Sequence, residues 1–140
     1  MLLIDVNVWI RATHKDAVDH VRYFQWLAGI YSAMEPFAVT DLIAAGYLRI
    51  ITNPKAFVVP FTMDQAILAW DDITSRSTCK WVHPGKDHWG LFRKLCASSG
   101  VFGNLVNDAW LAALAIENDC ELVSDDKDFG KFPGLRWQRP

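Results

Sequence analysis

The sequence predicts an α/β protein: a three-layer α/β/α sandwich with a short, mostly parallel central sheet. Short continuous apolar runs alternate along the chain with longer segments in which apolar residues recur every three or four positions. The short runs are typical of strands covered on both faces, and the longer pattern is typical of amphipathic helices. Because 140 residues suit one hydrophobic core, we expect a single domain over residues 1–140.

The predicted strands are the short apolar runs, each too short to form a helix. The five are Leu2–Asp5, Phe37–Thr40, Cys79–Val82, Glu121–Ser124 and Leu135–Trp137. Helical segments separate most of them, and strands that alternate with helices pair in parallel.

The predicted helices show apolar residues at three- and four-residue steps. The first spans Asp16–Ala33, and the second begins at a cap, Thr40 or Asp41, and runs to Ile51 before Asn53-Pro54 stops it. The other three span Met63–Ile73, Trp89–Cys96 and Leu105–Asn118.

The charge balance gives no global field that would mark a nucleic-acid-binding protein. Lys and Arg number 14 and Asp and Glu 16, a net charge of −2, so any contact with RNA has to rely on a local basic rim and on metal ions. Of the 16 acids 13 are Asp, although Glu is the better helix former. That bias suits strand ends, helix caps and metal ligation.

Several common kinds of site are excluded by their missing motifs. The three cysteines, Cys79, Cys96 and Cys120, lie far apart without metal-ligand spacing, which argues against a zinc site or a disulfide framework. The chain has no glycine-rich phosphate loop and no Gly-x-Ser-x-Gly elbow, and its four histidines are scattered. With no apolar stretch near the ~20 residues of a membrane span, we expect a cytoplasmic protein with no membrane contact.

Three aspartates stand where a parallel sheet gathers its ligands. Asp5 ends the first strand, Asp126 follows the fourth, and Asp108 lies at the head of an Ala/Leu-rich helix. The carboxyl ends of parallel strands meet at one edge, so acids from opposite ends of the chain can converge there. Clustered carboxylates repel one another, and a bound divalent cation relieves that repulsion. The residues therefore predict a small metal-dependent enzyme.

Four motifs, in this order and at these separations, carry a resemblance to a known family. They are Leu3-Ile4-Asp5-Val6-Asn7-Val8, Arg49-Ile50-Ile51-Thr52-Asn53-Pro54, Asn104-Leu105-Val106-Asn107-Asp108-Ala109 and Ser124-Asp125-Asp126-Lys127-Asp128-Phe129. The chain resembles the PIN-domain ribonucleases, in particular the VapC toxins of bacterial toxin–antitoxin pairs. The similarity extends over essentially the whole chain, including the terminal Phe132–Trp137.

The resemblance implies a Mg²⁺-dependent endoribonuclease, in which Mn²⁺ can substitute, that forms a homodimer and is silenced by a small cognate antitoxin. Asp5 and Asp108 would hold the metal, with Asp126 acting directly or through water, and Asn7 would orient a ligand water or the phosphate. Asp128 would be a neighbouring acid in the loop. The candidates for a basic rim on the RNA backbone are Arg11, Lys15, Arg49 and Lys127.

The chain departs from the family pattern in its second predicted helix. Many relatives place a Glu where this chain has Gly46, and Asp41 is the only acid nearby. Five helical residues turn through about 500°, so Asp41 cannot present a carboxylate from the same face as position 46. Asp41 is therefore either a helix cap or an additional acid that reaches the site from the end of the second strand.

Two other classes remain open from the sequence. A haloacid-dehalogenase-type phosphatase also begins with a strand that ends in Asp, but its pattern is Asp-x-Asp and this chain has Asn7 in the second position. The missing carboxylate at Gly46 would suit a degenerate PIN domain that binds partners without catalysis. Release of free phosphate would favour the first, and metal binding without RNA cleavage would favour the second.

Overall fold

The computed structural model describes residues 1–140 as five short strands, six α-helices and one 3₁₀ turn. The strands are β1 (Leu2–Ile4), β2 (Phe37–Val39), β3 (Cys79–Trp81), β4 (Glu121–Val123) and β5 (Trp137–Gln138). The helices are α1 (Val6–Thr13), α2 (His20–Ser32), α3 (Asp41–Ile51), α4 (Met63–Thr74), α5 (His88–Ser98) and α6 (Leu105–Glu117), and the 3₁₀ turn spans Lys127–Lys131.

All five strands form one parallel sheet in the order β3-β2-β1-β4-β5. The chain first adds strands on one side of β1 and then crosses to the other side with β4. The gap between the carboxyl ends of β1 and β4 is therefore the topological switch point, where α/β sheets bind their ligands. The predicted α/β fold with a short parallel sheet is confirmed.

The helices form two groups that bury the sheet. Helix α1 packs against α2 and α3, and α3 packs against α4, whereas α5 and α6 pack against each other. One cluster of 31 buried apolar residues joins the layers, and it includes the centre of β1 and most of α6 between Ala109 and Ala115. No helix is both long enough and apolar enough to span a membrane.

Helix α1 was not predicted, and α2 begins later than predicted. Val6, Val8 and Ile10 are β-branched residues that lower helix propensity, but burial of Val8, Trp9 and Ile10 in the core outweighs that preference. The start of α2 at His20 follows Asp19, whose φ of 59° is left-handed and so breaks the helix predicted from Asp16.

The last strand begins two residues later than predicted, at Trp137, and ends one residue later, at Gln138. Leu135 belongs to a turn, because its N–H donates to the Phe132 carbonyl and Gly134 before it has a φ of 83°. Pairing with β4 starts only at Trp137, whose indole N–H also donates to the Ser124 carbonyl at 3.0 Å. The C-terminal segment thus braces the end of β4, from which the next residues enter the switch point.

Candidate active site

A cleft of about 520 Å³ opens at the carboxyl edge of the sheet, between α3 and the first turns of α6. The three predicted acids Asp5, Asp108 and Asp126 all line it. They come from the end of β1, the first turn of α6 and the loop after β4. The structure therefore brings together the acids that the sequence predicted to converge.

Asp5 is fixed by hydrogen bonds to both of its carboxylate oxygens. Oδ1 accepts from the Val6 N–H at 2.7 Å, so Asp5 is also the N-cap of α1. Oδ2 accepts from the Ser124 hydroxyl at 2.7 Å and from the Asn7 amide at 2.8 Å. The pKa of Asp5 is raised overall, because burial outweighs the hydrogen bonds from Ser124 and Val6 that lower it. The charge of Asp126 raises it further.

Ser124 connects the residues on this side of the cleft, a role that was not predicted from the sequence. Its fully buried hydroxyl donates to Asp5, accepts from the Asn7 amide at 2.9 Å and accepts from the Asp126 N–H at 3.1 Å. One hydroxyl thus connects the end of β1 to the end of β4. The sequence does show a small hydroxyl residue between a buried strand and two acids. Its role becomes evident only when β1 pairs with β4, because that pairing brings Ser124 beside Asp5.

Asn7 is held within this network. Its amide nitrogen donates to Asp5 and to Ser124, and its Oδ1 accepts from the Asp125 N–H at 3.4 Å. These bonds show Asn7 orienting the Asp5 carboxylate and the loop after β4. The predicted contact of Asn7 with a ligand water or a phosphate stays a prediction.

Asp108 differs from Asp5 because no hydrogen bond compensates its burial. Burial raises its pKa to about 6, and the neighbouring charges of Asp126, Asp5 and Asp128 add to that rise, while Lys131 opposes it. A cation would stabilise the charge of a half-buried carboxylate among three others.

Asp126 and Asp128 lie at the start of the 3₁₀ turn. Asp126 is its N-cap and accepts from the Asp128 N–H at 2.9 Å, and Asp128 forms an ion pair with Lys131. Asp126 lines the cleft, whereas Asp128 does not. Asp128 therefore acts on the site through its charge, which agrees with its predicted place in the loop.

The donor set of the cleft suits a hard divalent cation. No three His, Cys, Asp or Glu side chains are close enough to hold a metal ion by themselves. Mg²⁺ usually takes one or two carboxylates and keeps several waters, so it does not require such a cage. Asp5 offers the lone pairs left free on a fixed carboxylate, and Asp108 offers oxygens that no hydrogen bond occupies. These residues fit Mg²⁺ or Mn²⁺ as a partial ligand shell.

The four predicted rim cations occupy different places. Arg49 lines the cleft from α3. Arg11 forms an ion pair with Asp125 at 3.1 Å and also contacts Tyr23, so it supports the loop after β4. Lys127 begins the 3₁₀ turn beside Asp126, and exposed Lys15 lies on a separate hollow formed with the start of α2. Of these four cations, Arg49 is the one that lines the cleft.

Asp41 lies outside the cleft. Its side chain is 75% exposed, and its Oδ2 lies 3.1 Å from His83 Nδ1. This contact is a hydrogen bond, and it becomes an ion pair when the imidazole is protonated. Thr40 is the N-cap of α3, without a side-chain capping bond, and Asp41 is the first helical residue, where its charge complements the helix dipole. Of the two predicted caps, Thr40 is confirmed and Asp41 is wrong, and the predicted role of Asp41 as an additional acid gains no contact in the structure.

Comparison with known proteins decides the family. A family model described as PIN domain matches residues 2–135. The VapC ribonuclease Mb2897 of Mycobacterium bovis is 35% identical over 140 residues, which cover 100% of this chain and 95% of that protein. The chain belongs to the PIN-domain family, among the VapC ribonucleases. Ribonuclease VapC31 of Mycobacterium tuberculosis is similar to this VapC-family chain at 35% identity, with 100% and 99% of the two chains covered.

Solved structures share the fold of this VapC-family protein. The VapBC2 complex of Rickettsia felis, bound to a DNA fragment from its promoter, gives a TM-score of 0.72 at 19% identity, covering 99% of this chain and 98% of the other. VapC20 of Mycobacterium tuberculosis, a sarcin-ricin loop cleaving toxin, gives 0.68 at 13% identity, covering 97% and 99%. At these identities the likeness establishes the PIN-like architecture alone.

Proposed function

We propose that this VapC-family ribonuclease is the toxin of a toxin–antitoxin pair and hydrolyses RNA phosphodiester bonds at the acidic cleft with Mg²⁺, for which Mn²⁺ can substitute. The observation that carries the proposal is the convergence of Asp5, Asp108 and Asp126 on one cleft at the switch point of the sheet. Family membership supports the ribonuclease activity, and the chemistry of the donors supports the metal.

The residues of the chain would divide the work at the cleft. Asp5 would be the rigid ligand, because three donors fix its carboxylate, and Asp108, whose oxygens accept no hydrogen bond, would be the second ligand. Bound Mg²⁺ would lower the pKa of a water for in-line attack on phosphorus and offset the charge that develops on the phosphoryl oxygens. Arg49 would bind a backbone phosphate at the same cleft. With water as nucleophile, the products are a 5′-phosphate and a 3′-hydroxyl.

The proposed partners are RNA, a small cognate antitoxin and a second copy of the chain. Solved relatives of the same fold are complexes named VapBC, which supports the antitoxin. On this chain, the turn before α2 and the helix itself leave Val18, Val21 and Phe24 exposed by 71%, 66% and 56%, an apolar surface that a partner can cover. A basic antitoxin side chain could pair with the cleft carboxylates and compete with metal. An RNA substrate makes the cytoplasm the proposed location.

The test of this function is cleavage of labelled RNA by the purified full-length chain. We expect cleavage in Mg²⁺ or Mn²⁺ and none in EDTA, and Asp108→Asn should lose both cleavage and Mn²⁺ binding by calorimetry. The matched control is Asp64→Asn, an exposed acid in the first turn of α4 that complements its helix as Asp108 does but lies outside the cleft. Full activity of the Asp108 variant, or equal activity in EDTA, would contradict the proposal.

The second candidate is a PIN domain that binds partners without catalysis, and Gly46 favours it because α3 supplies no carboxylate to the cleft. The same experiment separates the two. Mn²⁺ binding by the unmodified chain without cleavage of any RNA in a total cellular RNA pool would favour the binding module.

A further inference from the structure

Phe102 is an exposed aromatic residue two positions before Asn104, which lines the acidic cleft. It belongs to the loop between α5 and α6, and its residue exposure of 77% is the highest of any aromatic residue among the exposed large hydrophobics. Single exposed apolar residues are common on protein surfaces, so exposure alone says little. The exposure of Phe102 is informative because this residue lies close in the chain to the cleft wall.

The backbone holds Phe102 in place while its ring stays free. The Phe102 carbonyl accepts from the Leu105 N–H at 3.2 Å, which ties the residue to the start of α6. Val101 before it packs against the core, whereas Phe102 does not. Gly100 and Gly103 have φ values of 61° and 56°, left-handed conformations that allow the chain to turn on each side of this pair. The loop therefore buries one apolar side chain and presents the next to solvent.

The loop continues directly into the wall of the cleft. Asn104, two residues after Phe102, lines the cleft, as do Asn107 and Asp108 in the following turn of α6. Two residues of chain span at most about 7 Å, so the Phe102 backbone lies within one side-chain length of the cleft wall. Across the cleft, α3 contributes Arg49.

We propose that Phe102 is a stacking residue for one unpaired base of the RNA substrate, next to the phosphodiester bond that is cut. The inference rests on the proposed ribonuclease function and assigns a base-binding residue to it. Unstacked bases of single-stranded RNA stack on exposed aromatic rings, and this contact accepts any base because every base has a π face. Arg49 and Phe102 would then hold the backbone and the base on opposite sides of the acids.

The experiment measures cleavage of 5′-labelled single-stranded RNA by the full-length chain in Mg²⁺ buffer. Phe102→Ala and Phe102→Leu should raise KM about tenfold with kcat little changed, the effect expected from losing one base–aromatic stack. Phe102→Trp should keep the KM of the unmodified chain, because it keeps a flat ring. Trp89→Ala is the matched control: Trp89 is 64% exposed but lies in the first turn of α5, at the opposite end of that helix from the Phe102 loop.

Abasic nucleotides identify the stacked base directly. With the unmodified chain, an abasic site at one position beside the cut should raise KM about tenfold, and with Phe102→Ala that penalty should vanish. A KM unchanged by Phe102→Ala in an enzyme that cuts RNA would overturn the stacking role while the ribonuclease function stands. An equal rise of KM in Trp89→Ala would also overturn the stacking role. So would a Phe102→Ala variant that loses only its binding of a co-expressed antitoxin. If the unmodified chain neither binds nor cuts RNA, the stacking role and the proposed function both fail.

Discussion

At the scale of single residues, Asp5 and Asp108 are two carboxylates in one cleft whose pKa burial raises, and they differ in their hydrogen bonds. Three hydrogen bonds hold Asp5 in place, whereas burial and neighbouring acids raise the pKa of Asp108 without a compensating donor. Hydrogen bonds therefore tie the Asp5 carboxylate into the fold, whereas the charge of Asp108 lowers the stability of the fold. The two residues should respond differently to the same substitution.

We expect Asp108→Asn to raise the free energy of unfolding in EDTA at pH 7 by about 1 kcal/mol, after discounting for solvent screening of a half-exposed group. The folded protein holds the Asp108 proton to about pH 6, against an ordinary value of 3.8, so the folded state binds more protons between these values. Stability from this group is present below about pH 4 and lost as pH rises through 6. Urea unfolding at pH 4 and pH 7 should show the gain only at pH 7.

Asp5→Asn is the contrasting variant. Either orientation of the new amide places its NH₂ against a donor, the Val6 N–H or the Asn7 amide. It should therefore lower stability at pH 7 or leave it unchanged. An equal gain in both variants would show that simple charge relief governs both positions.

Ser124→Ala tests the hydroxyl that joins the two halves of the site. The change removes one donor from the buried Asp5 carboxylate and removes the acceptor of the part-buried Asp126 N–H. We expect a stability loss of about 1–3 kcal/mol and a fall in metal affinity or activity of about 10- to 100-fold. Ser75→Ala is the control, because the Ser75 hydroxyl makes one exposed bond to the Asp72 carbonyl. Cleavage and Mn²⁺ binding unchanged in Ser124→Ala would remove Ser124 from the site.

At the scale of elements, α3 is the wall of the cleft that supplies no carboxylate. A Cβ built at Gly46 would lie 3.4 Å from Val6 Cγ2, which is ordinary contact, so α3 has room for a side chain there. Gly46→Glu should therefore add an acid to the cleft and tighten Mn²⁺ binding measured by calorimetry. In EDTA, Gly46→Glu should raise the free energy of unfolding less than Gly29→Glu does. Gly29 is a helical glycine of α2 with nothing within 4 Å of its Cβ position, so the change in helix propensity alone contributes about 1 kcal/mol there.

Asp41→Ser is the second control on α3. Because Asp41 is exposed and outside the cleft, we expect cleavage at the rate of the unmodified chain. Loss of cleavage in Asp41→Ser would restore Asp41 as a site residue.

The contradicting result for Gly46→Glu is an Mn²⁺ affinity weaker than that of the unmodified chain. This result would exclude position 46 as a ligand position.

The elements that were predicted well and badly differ in a physical way. Buried parallel strands and α6 have sequences that are apolar almost throughout, so their positions followed from the chain alone. Helix α1 is eight residues long and rich in β-branched residues, and its formation depends on an Asp5 cap and on burial of Trp9 that no local pattern reveals. The convergence of the acids followed from the parallel topology, whereas the bonds of Ser124 and the exposure of Phe102 required the assembled tertiary structure.

At the scale of the whole molecule, toxicity and its suppression are the properties to measure. Expression of the chain alone should arrest growth, and co-expression of a neighbouring small gene should restore growth and yield a complex that co-purifies. We expect the complex to cover Val18, Val21 and Phe24, because these apolar residues are exposed on the free protein. Light scattering of the free chain would test the proposed homodimer. Normal growth with verified folded protein and no co-purifying partner would contradict the toxin assignment.

The bond between Ser124 and Asp5 joins residues that are 119 positions apart. A ribosome makes the β1 end first, at roughly 5–20 residues per second, so Asp5 is made long before its partner. Until β4 emerges, β1 lacks one neighbour, and neither Ser124 nor Asp126 exists. The cleft is therefore completed only in the last part of synthesis. A chain that stops before β4 lacks Asp126 and the Ser124 hydroxyl that holds Asp5, so we expect the cell that makes such a fragment to be spared the RNA damage of the finished protein.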